Sequence, residues 1–409
     1  MDECTEYTGL SRRGLFRGLA VAGASTAFFG TTFTQTSYAA TRSAPSVLVV
    51  VSLRGAADGL SLVVPHADPA YYAARPRLSI AKPQLLAVDS FFGLHPSLQP
   101  LLPLWNAGKM AAIHATGMPV VNRSHFAAME EVEDADPGSS ARVGWLNRLI
   151  GRDTYANPLQ AVQIGEIPIT ATYGPEPSFT ASSVDAVHIA GHDQWDTTNG
   201  RPRSLHTLWD AAPGPLGKGA RSALAAVADF APVQATSAMP ANGASYPKDD
   251  LGEALASAAR TIKGDVGADV IAVDHGGWDM HTNLGDLTWG AMLQNAGSLA
   301  GGLAAFFTDL GALADKVTVV TISEFGRRVK ENANWGLDHG YGNVMFALGA
   351  GVKGGYYGTW PGLHNSLDAD LQVTTDYRSV LSEIVTKRFD VSTATVFPHF
   401  APEPIGFMA

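Results

Sequence analysis

Aspartates and histidines gather at a few places along this 409-residue chain. Asp274-His275-Gly276-Gly277-Trp278-Asp279-Met280-His281 holds two of each, and Asp338-His339-Gly340 adds another adjacent pair. Carboxylate and imidazole together form a ligand set for zinc, manganese or a similar divalent ion. Glycines beside them let the backbone turn tightly and come close to a ligand. Carboxylates brought together without a cation repel one another and shift their pKa values upward, a cost that a bound ion removes. More polar residues follow other apolar runs. They are Arg54-Gly55-Ala56-Ala57-Asp58-Gly59, His114 with Asn122-Arg123-Ser124-His125, and Ser323-Glu324-Phe325-Gly326-Arg327-Arg328. One Asp or His in such a place reads most simply as a cap or turn residue. The joint pattern over four strand ends points instead to a metal site.

Ser124 has two readings. It precedes the helix-forming run Phe126-Ala127-Ala128-Met129-Glu130, so it suits an N-cap. The same position suits a nucleophile, because backbone N–H groups and the helix dipole stabilise an anion there. A phosphoryl or sulfuryl group on that hydroxyl would have its oxygens neutralised by Arg123 or Arg327.

The elements that must position these residues alternate along the chain. Val47 to Leu53 is a continuous β-branched apolar run, expected of a strand buried on both faces. Met110 to His114, Asp269 to Val273, Val317 to Ile322 and Met345 to Leu348 are further strand candidates. Helical patterns cover Ser124 to Glu133, Leu251 to Ile262, Leu287 to Leu313 and Tyr377 to Arg388. This alternation predicts an α/β fold with a mostly parallel sheet flanked by helices on both faces. Ligands then bind beyond the carboxyl ends of the strands, where the polar segments fall. Residues 136–245 are rich in Gly, Pro, Ser and Ala, and read as an insertion of irregular connections and short helices.

Composition is that of a globular chain, 46% hydrophobic and 16% charged, with a net charge of −10. That balance argues against a nucleic-acid-binding face. The first forty residues read as an export leader: Arg12-Arg13, an apolar stretch from Leu15 to Phe29, and small residues at Tyr38-Ala39-Ala40. The stretch is shorter than the roughly 20 residues that span a bilayer. A buried N-terminal helix and a retained anchor are the alternatives. No later apolar stretch reads as long enough to cross a membrane. The one cysteine, Cys4, lies in the leader, so the mature part 41–409 has no thiol for a disulfide, a nucleophile or a metal.

Together, LRGAADGLSLVVP (53–65), NRSHF (122–126), HGGWDMH (275–281), SEFGRR (323–328) and DHGYGN (338–343) resemble the DUF1501 family. That family is placed in the alkaline phosphatase and sulfatase superfamily, and the leader fits it. The resemblance covers nearly all of 41–409 as a single domain. It implies an alkaline-phosphatase-like fold and a site for two divalent ions, zinc or manganese. Asp58 matches the acid after the first strand and Ser124 the nucleophile. Asp279 with His281, then Glu324 and His339, match the remaining ligands. The superfamily usually has Asp-His where this chain has Glu324-Phe325, so His275 or His125 is expected to stand in. The sulfatase signature around a modified Cys or Ser is absent. The resemblance thus implies an exported, metal-dependent hydrolase of phosphate or related anionic esters, located in the periplasm or outside the cell. The rival is a non-catalytic envelope protein that keeps the fold and binds a partner, such as a member of the DUF1800 family. Export has a direct test. With Arg12→Lys and Arg13→Lys together, the precursor should stay in the cytoplasm by fractionation, and normal export of that variant would defeat the twin-arginine reading.

Overall fold

A computed structural model describes residues 42–152 and 157–409. The expected export leader, with Cys4, lies outside these residues. Strand β1 (Val47–Leu53) is buried along its whole length. Its valines and leucines suit that position because both sides of the strand are covered. Val47, Val49, Val51 and Leu53 enter one hydrophobic core, and Leu48 and Val50 enter another. The other strands of the main sheet are β2 (Met110–Gly117), β3 (Ala161–Ile164), β4 (Phe179–Ala181) and β5 (Val270–His275). They continue with β6 (Val317–Ile322), β7 (Asn343–Gly349), β8 (Gly355–Tyr357) and β9 (Thr375–Asp376). Their order is β8-β2-β7-β6-β1-β5-β3-β4, and β9 also pairs with β2. Every pair is parallel except the two made by β7. This is the α/β architecture that the strand–helix alternation predicts.

Helices of ten residues or more among the described residues are α1 (His125–Asp134), α2 (Gly200–Trp209), α3 (Gly214–Asp229), α4 (Asp250–Gly264), α5 (Ala291–Leu310) and α6 (Tyr377–Phe389). Leu251, Leu255 and Ile262 of α4 join Leu299, Leu303 and Phe306 of α5 against one face of the sheet. Met129 and Val132 of α1 join Val380, Leu381 and Ile384 of α6 against the other. Two sequence expectations need correction. Residues 136–245 are more than irregular connections, since they supply β3 and β4 at one end of the sheet. Residues Ala291–Lys316 are long and apolar enough to cross a membrane by length and composition. In the fold their apolar side is used inside the protein, packed against α4 and the 96–101 turn in the same core as β1 and β6.

Strands β1, β2, β5 and β6 run in one direction, so their carboxyl ends reach the same edge of the sheet. The loops after them carry the polar segments. Gly55 shows how closely these loops approach. Its φ is +107°, and an added Cβ would lie 2.5 Å from the backbone nitrogen of Asp279. Only glycine meets both demands.

Two buried histidines away from these loops make stability depend on pH. His95 accepts a hydrogen bond from Ser97 N at 3.0 Å, and His114 lies against Phe92 and Trp360. Burial lowers the pKa of each to about 4. The unfolded chain takes up these protons near 6.5, whereas the folded chain resists until about 4. Below 6.5 the unfolded state therefore binds more protons, and stability is lost as pH falls through this window. Each histidine contributes at most about 1.4 kcal/mol per pH unit. Denaturant unfolding at roughly pH 7 and pH 5 should show the loss, and His114→Phe should reduce it. An unchanged pH dependence in that variant would contradict the assignment.

Candidate metal centre

Helix α1 begins at His125, with Ser124 as its N-cap residue. This start turns the His125 ring toward the loops after β5 and β6. Its Nδ1 lies 2.8 Å from Glu324 Oε1, and its Nε2 lies 3.0 Å from His339 Nε2. His339 is brought alongside by an isolated bridge between Arg327 and His339, with Gly340 N donating to Gly326 O at 2.8 Å. His339 Nδ1 lies 2.8 Å from the carbonyl oxygen of Arg123. His281 Nδ1 lies 3.2 Å from Asp338 Oδ1. Carbonyl and carboxylate oxygens only accept, so each of the three Nδ1 atoms donates. In each neutral ring the lone pair is then on Nε2.

Those three Nε2 atoms surround one oxygen. Asp279 Oδ1 lies 3.2 Å from His281, 3.5 Å from His125 and 3.8 Å from His339. The ligand atoms of His125, Asp279 and His339 all fall within 4.8 Å of one another. His281 Nε2 is buried and has no hydrogen-bond partner. Lone pairs facing a carboxylate oxygen repel unless a cation lies among them. A proton meets part of that demand: burial works against charge on His125, but hydrogen bonding to Asp279 and Glu324 outweighs it and lifts its pKa to about 9. Burial alone would also raise Asp279, yet His125, His339 and Arg327 hold it well below the usual carboxylate range. Glu324 behaves alike, with His125 overcoming its burial. Imidazoles whose second nitrogens donate to acceptors, gathered around a carboxylate, are the arrangement that orients ligands on a metal ion. The donor set of nitrogen and oxygen fits zinc or manganese.

Asp279, His281, Glu324 and His339 are therefore brought together. Four other expected site residues do not take the roles expected of them. Asp58 is no ligand in this arrangement, because Arg75 Nη1 and Nη2 donate to its two oxygens at 2.6 and 2.9 Å, and Ser61 N donates as well. Both Asp58 and Arg75 are buried. Burial alone would raise the Asp58 pKa, but the Arg75 charge and its hydrogen bonds hold it lowered. His275 points away, edge-on to Trp278 at 5.3 Å between ring centres. Burial lowers its pKa to about 4, as expected of a core histidine. The Arg327 guanidinium is wholly buried and bonded to the carbonyls of Gly55, Ala56, Trp278 and Leu337 and to Asp279. It orients loops from inside the fold. Arg123 is likewise engaged, by Asp370 and Gly340 O. Its contribution to the cluster is its backbone carbonyl.

Ser124 is half-buried, and its hydroxyl makes no capping hydrogen bond. After Glu324 the sequence offers no imidazole, and His125 supplies one from α1 instead. Phe325, which stands there, packs against both the His125 and His339 rings at 5.0 Å. The His125 role could have been read from NRSHF only by knowing which way α1 faces. Beside the cluster lies a cleft of about 400 Å³, lined by Arg54, Glu133, Asp274, Phe126, Ile167 and their neighbours.

Fold and site together define an α/β protein whose strand-end loops gather three imidazoles around one carboxylate. Residues 220–381 match the family model described as "Protein of unknown function (DUF1501)". That match includes the segments carrying Asp279, His281, Glu324 and His339. No curated protein matches the chain.

The two carboxylates Asp58 and Asp279 should separate in experiment. Asp58→Asn leaves Arg75 buried without its counter-charge and should cost about 3–5 kcal/mol, while metal uptake persists. Asp279→Asn should abolish uptake. Urea unfolding and elemental analysis of both variants check this, and loss of metal from Asp58→Asn in folded protein would return Asp58 to the ligand set.

Proposed function

We propose that this protein is an exported, metal-dependent hydrolase of phosphate or related anionic esters. The observation that supports it best is the convergence of His125, His281 and His339 on Asp279 Oδ1 beside an open cleft. The likeness of its motifs to the alkaline phosphatase superfamily supports the reaction class, and the leader at Arg12-Arg13 supports export to the periplasm or beyond. His125, Asp279 and His339 would hold a divalent ion, with His281 as a further ligand. Such an ion supplies Lewis acidity toward an ester oxygen. Among the described residues one such group forms, so this reading has one ion where the resemblance implies two.

The chain's own residues prepare that chemistry. Glu324 and Asp338 fix the orientation and proton position of His125 and His281. Arg327 fixes Asp279. Ser124 lies at the N-terminus of α1 with its hydroxyl uncommitted to a cap, and is assigned the attack on the ester. A second reading, a non-catalytic envelope protein that binds a partner such as a DUF1800-family protein, is favoured by one observation. The guanidinium groups of Arg123 and Arg327, expected to meet an anion, are both taken up by the fold.

Turnover decides between them. Metal-loaded protein should hydrolyse aryl phosphate or aryl sulfate esters, and chelation should lower both activity and melting temperature. Ser124→Ala should keep its metal and change stability by no more than about 0.5 kcal/mol, because no cap bond is lost. Its turnover should fall by about a hundredfold or more, with modified Ser124 found by mass spectrometry in acid-quenched wild type. A fully active Ser124→Ala would transfer the attack to water. Metal binding without turnover of any ester would favour the partner-binding reading.

A further inference from the structure

The cleft has an uneven charge. Arg54 is the one guanidinium in its lining, and Glu133, Asp274, Asp279 and Glu324 all border it. Arg54 Nε donates to Asp274 Oδ1 at 2.9 Å and Nη2 to Glu133 Oε1 at 2.6 Å. Glu133 is itself fixed, its Oε2 accepting from Thr170 N at 2.8 Å. The guanidinium is thus braced from two sides, and Nη1 makes no hydrogen bond among the described residues. A braced guanidinium with its Nη1 group left over meets a substrate oxygen well, at little cost in lost side-chain freedom. Apart from Glu130 and Thr170, the lining on α1 and residues 167–170 is apolar: Met129, Pro168 and Ile169, with Phe126 and Ile167, which are 54% and 59% exposed.

We propose that this cleft selects esters that carry one negative charge and an apolar leaving group, with Arg54 as the residue that meets the charge. Phosphodiesters and sulfate monoesters belong to this class, and fully ionised phosphate monoesters do not. The inference rests on the hydrolase reading above and narrows its substrate. The physical reason is repulsion. Each added negative charge on the substrate is pushed by Asp274 and Glu133, whose partner Arg54 is already shared between them, at separations where unit charges in a protein interact appreciably. A monoanion gains the Arg54 contact and meets half of that repulsion. The apolar wall takes the leaving group by burying it. In the overall reaction the phosphorus–oxygen or sulfur–oxygen ester bond breaks. The oxygen of water ends on phosphorus or sulfur, and a proton from that water ends on the departing alcohol.

Two inert probes differ mainly by one charge: phenylphosphonate, a dianion above neutral pH, and its monomethyl ester, a monoanion. Titration calorimetry on zinc- or manganese-loaded protein should give the monoanion about tenfold tighter binding. Asp274→Asn should bring the two within about threefold by admitting the dianion. Arg54→Ala should weaken the monoanion about tenfold or more. Arg54→Lys should fall between, and serves where the alanine variant does not fold. A dianion that binds wild type as tightly as the monoanion overturns the proposal, as does Arg54→Ala or Arg54→Lys with unchanged monoanion affinity. Turnover of aryl methyl phosphate, aryl sulfate and aryl phosphate is measured in parallel. No turnover of any of them removes the hydrolase reading while the calorimetry still reports the charge selection.

Discussion

One buried guanidinium holds the site loops together. Arg327 donates to Ala56 O at 2.7 Å, Gly55 O at 2.5 Å, Leu337 O at 3.1 Å and Trp278 O at 3.3 Å, and to Asp279 Oδ1 at 2.5 Å. These acceptors come from the loops after β1 and β5 and from the segment that leads into His339. The group is planar, always charged and carries five donors in a fixed fork, so it can serve several carbonyls at once where a lysine could not. Its charge is matched by Asp279, and that pairing sets where the carboxylate points. The position of Asp279 Oδ1 among the imidazoles therefore depends on a residue that is wholly buried in the fold.

A second layer of acceptors works in the same direction. Glu324, Asp338 and the Arg123 carbonyl each accept a hydrogen bond from a histidine Nδ1 and turn its Nε2 inward. Glu324 is itself held by Gly55 N and Ser323 Oγ. A buried charge costs several kcal/mol unless it is paired and hydrogen-bonded. Asp58 with Arg75 meets that requirement by closing on itself, whereas Asp279 meets it through Arg327 and the imidazoles around it. The same rule thus distinguishes an acid that supports the fold from one that serves the site.

Much of this was legible in the chain. The β-branched runs located β1, β5 and β6 to within a residue or two, since a strand covered on both faces needs apolar side chains throughout. Strand–helix alternation implied the sheet, and the sheet implied that its carboxyl edge carries the chemistry. β3 and β4 escaped notice because they are short and lie in a Gly- and Pro-rich stretch without clear periodicity.

The sequence by itself determined the residue types and the edge of the sheet on which they lie, because periodicity and composition act over a few neighbouring residues. Which acid binds which base was decided only in three dimensions. Asp58 closes on Arg75 seventeen positions away, whereas Gly55 N, three residues before Asp58, donates to Glu324 across 269 positions. His275 and His281 share one segment, yet the turn between them buries the first against Trp278 and presents the second to Asp279. Arg123 and Arg327 have the chemistry to meet an anion, and the fold took both for its own carbonyls and carboxylates. The reason is that a side chain's partner depends on direction and distance after packing, and no local pattern encodes either.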